Sequence, residues 1–351
     1  MSAVTLITGG AGFVGTNTAD RLLRDGGRVR ILDDLSRRGV TRNLQWLQRT
    51  HGERLEVEIG TVRDPETARR AVRGARVIYH FAAQVAVTTS FEDPVQDAGV
   101  NLFGTLVMLE AARLHAPSAP FVFTSTNKVY GGLEDVALTL DGDQYQPCHD
   151  EIRRRGISET RPLAFCTPYG CSKGAADQYV HDYARSYGLA TVVFRMSCIY
   201  GPHQFGNEDQ GWVAHFVKQA LSDQPITIFG DGCQVRDLLY VEDLVDALLL
   251  AGGRAGELAG RAFNIGGGAG NACSLRDVLA IIGELRDPPL QLRSGEWRPG
   301  DQRYYVSDTS SFGDATGWSP RMDVRRGIAR LHDWLRDEQE LRRRLPTGVA
   351  A

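Results

Sequence analysis

Tyr169 and Lys173, four residues apart in Tyr169-Gly-Cys-Ser-Lys173, are the residues of this chain best suited to moving a proton. Only three of its 40 basic residues are lysines, at 128, 173 and 218. Random placement would give about 0.1 tyrosine–lysine pairs at this spacing, so the match is informative. On a helix, residues four apart share a face, and an ammonium beside a phenol favours the phenolate. Arginine would not serve equally, because its guanidinium is planar and too basic, whereas lysine is a compact charge with three rotatable donors. The pair therefore reads as a tyrosine base drawn from its ordinary pKa of about 10 toward neutrality. A surface helix pair without a role is the alternative.

A base of this kind needs a redox partner, and the first residues supply a site for one. Val4-Thr-Leu-Ile7 reads as a short buried strand, followed by Thr8-Gly9-Gly10-Ala11-Gly12-Phe13-Val14-Gly15 and a helical run that stops at Gly26-Gly27. Gly10, Gly12 and Gly15 satisfy the dinucleotide fingerprint, and Gly9, Gly12 and Gly15 equally satisfy a Gly-x-x-Gly-x-x-Gly variant. Glycine permits the unusual backbone angles of the turn and lets helix N–H groups approach a pyrophosphate. A second strand, Val29–Leu32, ends at Asp33, 18 residues after Gly15, where a carboxylate can accept hydrogen bonds from a ribose 2′-hydroxyl. It would repel a 2′-phosphate, so NAD is expected rather than NADP. Arg37 and Arg38 argue the other way.

Strand and helix signals alternate thereafter. Leu55–Ile59, Val77–Ala82, Phe121–Ser125 and Thr191–Arg195 read as short apolar strands, separated by helical stretches around 64–73, 100–115 and 168–187. This pattern predicts an α/β fold, a Rossmann-type doubly wound parallel sheet. Beyond about 195 the chain becomes rich in glycine and polar loops. The expected organisation is a cofactor domain over 1–195, rejoined by about 234–266, and a smaller C-terminal substrate-binding lobe over 196–345, with a disordered tail after Pro346. The net charge of −3, with acids and bases interspersed, offers no general attraction to nucleic acid. No apolar run reaches transmembrane length, and the N-terminus lacks the basic flank and apolar stretch of a signal peptide, so no membrane partner and a cytoplasmic location are expected. Six scattered cysteines without Cys-x-x-Cys spacing read as thiols, with no metal site.

Thr8 to Gly15, Asp33, the Tyr169/Lys173 pair and Thr124-Ser-Thr-Asn-Lys-Val-Tyr-Gly131 together resemble the extended short-chain dehydrogenase/reductase family over nearly the whole chain. The resemblance implies that Thr126, Tyr169 and Lys173 are catalytic, with Lys173 also holding the nicotinamide ribose. It places Gly9, Gly12, Phe13 and Val14 at the phosphates, and Asp33, Asp34, Ser36 and Arg37 around the adenosine. Thr61 and Val62 stand where such enzymes usually carry an aspartate and its neighbour at the adenine, so the adenine would meet a weaker, neutral acceptor. Phe81, Ala82, Ala83, Asn101, Thr124 and Arg195 complete the implied cofactor contacts. Gln84, Thr126, Asn127, Lys128, Ser197 and Gln210 would face the substrate. Arg236, Arg298 and Asp301 would form a nucleotide-sugar clamp, for which arginine suits a diphosphate. Without the resemblance, ordinary surface salt bridging is the alternative for those last three.

Positions 127 and 128 separate the branches of the family. Its sugar 4,6-dehydratases carry Asp-Glu there, because elimination needs a further acid and base. Asn127-Lys128 cannot supply that carboxylate. The strings around Thr124–Gly131, Cys171–Tyr179 and Asp209-Gln-Gly-Trp212 are similar to nucleotide-sugar 2-epimerases acting on CDP-sugars. An NAD-dependent C2 epimerase, as a homodimer or higher homo-oligomer, is what the resemblance implies. A 4-epimerase, a net sugar-nucleotide oxidoreductase and a non-enzymatic sensor remain open. Lys128 reads either as an exposed loop residue or as a substrate contact.

Overall fold

The structure, a computed structural model, describes residues 4–344. The expected tail after Pro346 and the lobe boundary at 345 lie outside the described residues. Seven parallel strands form the central sheet: β1 (Val4–Thr8), β2 (Val29–Asp33), β3 (Leu55–Ile59), β4 (Ala75–His80), β5 (Phe121–Thr126), β6 (Thr191–Met196) and β7 (Arg261–Ile265). Their order is β3-β2-β1-β4-β5-β6-β7, so the strand order reverses between β1 and β4. A doubly wound sheet binds ligands in the crevice beyond the carboxyl ends of the strands at such a point. This is the Rossmann-type α/β fold that the alternating pattern predicts.

Successive strand residues point to opposite faces, and the sequence uses both. Ile7, Ile31, Val122, Val192 and Phe263 pack one way, against Leu22 and Leu23 of the helix Phe13–Arg24 and Leu244, Ala247 and Leu248 of the helix Val241–Gly253. Leu6, Leu32, Phe121, Phe123 and Val193 pack the other way, against Ala68 and Val72, Met108 and Leu109, and Ala176 and Val180. Those pairs lie on the helices Pro65–Val72, Gly104–His115 and Thr167–Tyr187. Each fully buried aliphatic side chain contributes about 1.5–3 kcal/mol. Asp64 accepts from the Thr67 N–H at 3.0 Å, which caps the first of these helices directly before Pro65.

The second lobe has its own core, in which Phe216, Val217, Ile226, Leu238, Tyr240, Ile282, Ile328 and Leu331 meet. Here the boundaries differ from the sequence-based expectation in two ways. The strand Val235–Tyr240 pairs with Cys198–Tyr200, Ala272–Ser274 and Tyr304–Tyr305 in a separate small sheet, so the return to the cofactor layer begins at the helix Val241–Gly253. Residues 129–157, assigned from the sequence to the cofactor domain, pack on this lobe instead. Val129, Tyr130, Val136 and Ile157 bury against Tyr305, while Leu138 and Ile152 flank Val235 and Tyr304. Strand β4 also stops at His80. Phe81 and Ala82 already belong to a loop that crosses Gly9, where a Cβ would come within 2.8 Å of the Ala82 nitrogen.

Candidate active site

The glycine turn is shaped by close approach. A Cβ on Gly15 would stand 2.3 Å from the Gly9 carbonyl oxygen, and Gly9 itself has φ +66°. The following helix starts at Phe13 with no side-chain cap on its first N–H groups, the arrangement that receives a phosphate. Asp33 closes the turn from β2: Oδ2 accepts from the Ala11 N–H at 3.0 Å and Oδ1 from the Leu35 N–H at 2.9 Å. Each oxygen keeps a further lone pair, enough for a ribose hydroxyl. Burial pushes the Asp33 carboxyl upward, against the pull of those two N–H groups. Ser36 donates to Asp34 at 2.6 Å, and Thr61 accepts from the Arg63 N–H at 3.3 Å. Val62 is buried and meets Gly104. Uncapped N–H groups, a glycine cradle and a carboxylate beyond β2 fit a dinucleotide bearing a free 2′-hydroxyl.

At the carboxyl end of β5, Thr126 faces the start of the helix Thr167–Tyr187. Its hydroxyl donates to Asn127 Oδ1 at 3.4 Å and stands close enough to the Tyr169 oxygen to favour the phenolate. Lys173, one turn on, donates to the Thr124 carbonyl at 2.6 Å and lies 4.1 Å from the centre of the Phe123 ring. Burial pulls its ammonium down to about 7. Tyr169 moves in the opposite sense to the sequence expectation: burial pushes it up to about 12, with Asp97 adding to the rise and Thr126 and Arg37 opposing it. The four-residue spacing puts both groups in one desolvated site, which favours the neutral form of each. Lys173 does not by itself make the tyrosine a base near neutrality.

A polar chain supports this centre from behind. Asn101 Nδ2 donates to Asp97 at 3.1 Å and to Ser172 Oγ at 3.1 Å, and its Oδ1 accepts from the Gln84 N–H at 2.9 Å. His80 is fully buried between the hydroxyls of Thr8 and Thr105, at 2.7 and 3.1 Å, and burial lowers its pKa to about 3. It is neutral and holds β1 and β4 in register with the helix Gly104–His115.

Beyond Thr126 opens a cavity of about 240 Å³, lined by Asn127, Lys128, Ser197, Gln210, Arg236, Arg298 and Asp301. These seven, gathered from five separate stretches of sequence, are all among the residues that the resemblance directs to the substrate. Arg236 donates to Asp301 at 2.6 Å, and the Arg298 guanidinium lies 3.7 Å from the centre of the Phe229 ring. Arg37 reaches across from the cofactor side and donates to Gln210. Three polar atoms at this cavity are buried and unpartnered: Thr88 Oγ1, His215 Nδ1 and Gln234 Oε1. Such atoms are costly unless a ligand or water meets them. None of the three, nor Phe229 or Trp212, was singled out from the sequence as a site residue, although Trp212 closes Asp209-Gln-Gly-Trp212, one of the strings that carry the resemblance.

Two expected contacts lie elsewhere. Arg195 is buried in a two-pronged pair with Asp177, at 3.0 Å to each oxygen, and donates to the Tyr130 hydroxyl at 3.1 Å. It borders a different depression with Glu159 and His181, so its guanidinium is not a cofactor contact. The strand's alternation turned it away. Gln84 folds its amide onto its own loop, donating to the Ala86 carbonyl at 2.8 Å and accepting from the Ala86 N–H at 2.7 Å.

A doubly wound sheet with a glycine cradle and a Thr/Tyr/Lys centre at the switch point defines a dinucleotide-dependent enzyme fold, and a cavity lined largely by its second lobe opens beside that centre. The sequence matches the NAD dependent epimerase/dehydratase family over residues 5–266, and the chain belongs to that family. It is 39% identical over 336 residues to a CDP-paratose 2-epimerase of Salmonella typhi, covering 94% of this chain and 98% of that protein. It is 33% identical to a UDP-glucose 4-epimerase of Mycolicibacterium smegmatis, covering 96% and 99%. Among solved structures, the NAD complex of UDP-glucose 4-epimerase from Thermus thermophilus superposes with a TM-score of 0.78 at 32% identity, covering 95% and 99%. NAD is the cofactor of this family, and the cradle described above fits it. Among the described residues no helix is long and apolar enough to cross a membrane, and no cluster of three metal-ligating side chains occurs.

Proposed function

We propose that the chain is a nucleotide-sugar 2-epimerase acting on a CDP-sugar. The observation that carries this reading is the pair Asn127-Lys128 in the cavity wall next to Thr126. It leaves out the carboxylates that elimination needs, in a chain whose 39%-identical relative is a CDP-paratose 2-epimerase. The hydrogen on a sugar carbinol carbon is not acidic, so inversion there requires oxidation first. Bound NAD supplies the hydride acceptor and donor and, when oxidised, a positive charge that favours the phenolate. Tyr169 would take the proton of the C2 hydroxyl when that carbon is oxidised, and Thr126 would hydrogen-bond the resulting 2-keto oxygen. The sugar then presents its other face. Tyr169 would give the proton back once C2 is reduced again from that face, so that no net redox change results. Arg236 and Arg298 hold the remote diphosphate throughout, so binding energy far from C2 keeps the intermediate in place. Asp33 and the uncapped helix start hold the cofactor, which gains nothing by leaving between turnovers.

A 4-epimerase is the second reading, favoured by the relative from M. smegmatis and the T. thermophilus structure. Deuterium placement separates the two. Substrate labelled at C2 is expected to turn over more slowly and to keep its label at C2 of the product, while label at C4 leaves the rate unchanged. A primary isotope effect from C4 would replace the first reading with the second.

The helices Gly104–His115 and Thr167–Tyr187 expose Leu114, Tyr179 and Tyr187, beside exposed Phe103, and this apolar surface supports a homodimer. Light scattering at micromolar concentration is expected to give twice the 38.6 kDa chain mass.

A further inference from the structure

Lys128 stands where three parts of the site meet. It is the second residue of the turn Asn127–Tyr130 that follows β5, and its backbone N–H donates to Thr126 Oγ1 at 3.3 Å. A Cβ on Gly170 would lie 3.3 Å from its carbonyl oxygen, so the first turn of the Tyr169 helix rests on it. Its side chain runs away from the catalytic hydroxyls toward the clamp loop, where Nζ donates to the Gly300 carbonyl at 2.9 Å and to Gln302 Oε1 at 3.5 Å. Gln302 is fixed in turn by Asn127 and by the Gly131 carbonyl, at 3.0 and 2.6 Å. The ammonium therefore lies between the reacting centre and the two arginines.

The charges of the cavity are unevenly matched. Arg236 pairs with Asp301 at 2.6 Å, and Arg298 has Asp209 at 3.8 Å. Among the described residues no carboxylate pairs with Lys128, whose acceptors are both neutral. Burial, with Arg236 nearby, draws its pKa down to about 8 against the opposing pull of Asp301, which is already paired with Arg236, so a bound anion would restore the full ammonium charge. A sugar hydroxyl would add no negative charge there. A phosphate oxygen would match it.

Resting on the nucleotide-sugar reading of this site, we infer that Lys128 is the third cation of the diphosphate site and binds the phosphate that carries the sugar, holding it while the sugar turns over. Lysine suits this task better than arginine. Its three rotatable donors can follow phosphate oxygens through a change of torsion, whereas a planar fork fixes one geometry. In a chain that uses arginine almost everywhere else, the lysine has a stated reason here.

The test compares NAD-loaded wild type, Lys128→Met and Lys128→Arg by calorimetric titration with CDP and with CMP, and in parallel with UDP and UMP. Lys128→Met is expected to lose about 10- to 100-fold in affinity for the nucleoside diphosphate, the range of a hydrogen bond to a charged group, with the monophosphate within about twofold. Lys128→Arg should restore diphosphate affinity while turnover stays low. In turnover, Lys128→Met should raise KM and release keto sugar, leaving reduced cofactor visible by its absorbance. An equal loss for diphosphate and monophosphate, or no loss, overturns the assignment. So does a wild type that binds none of the nucleotides. If the diphosphate preference falls as stated but the wild type never inverts C2, Lys128 keeps its role and the epimerase reading is the one that fails.

Discussion

The cofactor cradle and the substrate cleft are built on different principles, although they meet at Thr126. In the cradle, position is set by the backbone: Gly9 and Gly15 tolerate no Cβ, the helix start is bare, and Asp33 is held by two main-chain N–H groups. In the cleft, position is set by side chains from distant segments, as where Lys128 reaches Gly300, Asn127 reaches Gln302 and Arg37 reaches Gln210. A backbone-built site leaves a short, contiguous mark in the sequence. A side-chain-built site leaves marks scattered over more than a hundred residues. The cleft is accordingly where related enzymes can change substrate while keeping the same redox chemistry.

The largest effect is expected where the two regions join. Tyr169→Phe removes only the proton-transfer oxygen and keeps the ring and the Lys173 charge. Activity should fall about a hundredfold or more, the scale of a positioned acid–base group, while NAD and nucleotide binding persist. Activity retained within tenfold would mean that proton transfer does not depend on this centre. A smaller effect should separate cradle from cleft. Gly15→Ala puts a Cβ 2.3 Å from the Gly9 carbonyl oxygen and 2.6 Å from the Gly10 Cα, both backbone atoms that cannot swing aside. It should cost about 1–3 kcal/mol in urea unfolding and weaken NAD binding. Gly253→Ala, with nothing within 4 Å of the new Cβ, is the matched control. Equal behaviour of the two variants would remove the claim that the cradle is set by backbone contact.

The same contrast explains what the sequence discloses. Strands β1 to β6 and the helices between them, except Val40–His51, were legible because both faces of a parallel sheet are buried, and apolar runs bounded by glycine or proline mark that burial. The Tyr169/Lys173 spacing was legible because one helical turn brings both groups together. The pKa of Tyr169 was not, since it depends on how deeply the closed cleft buries the phenol, a property of the whole fold. Arg195 was misplaced because a strand residue can face either side, and only the buried carboxylate of Asp177 shows which. Thr88, His215 and Gln234 went unnoticed because no motif contains them. The hairpin of Leu138–Asp141 and Gln144–Pro147 fell in the wrong lobe because its few apolar residues do not reveal which core they join.

The smallest expected effect tests whether burial, rather than the neighbouring helix residue, governs Lys173. In NAD-free protein the Lys173 ammonium is drawn from 10.5 to about 7, chiefly by burial and against the pull of Asp177 and Asp97. A lysine with a lowered folded pKa binds fewer protons folded than unfolded between those two values, so its burial penalty shrinks as pH rises from about 7 to 10.5. Lys173→Met carries no such penalty. Its stability advantage over wild type should therefore be greatest near pH 7 and narrow on the alkaline side, by at most about 1.4 kcal/mol between pH 8 and pH 9. Urea unfolding of both proteins at the two pH values measures the difference directly. A gap that stays constant would show that the lysine keeps its ordinary proton affinity in the folded cleft. A gap that is flat from pH 8 to pH 9 and widens only above about pH 10.5 would show that its acidic neighbours outweigh burial, making the centre an ion-paired site rather than a desolvated one.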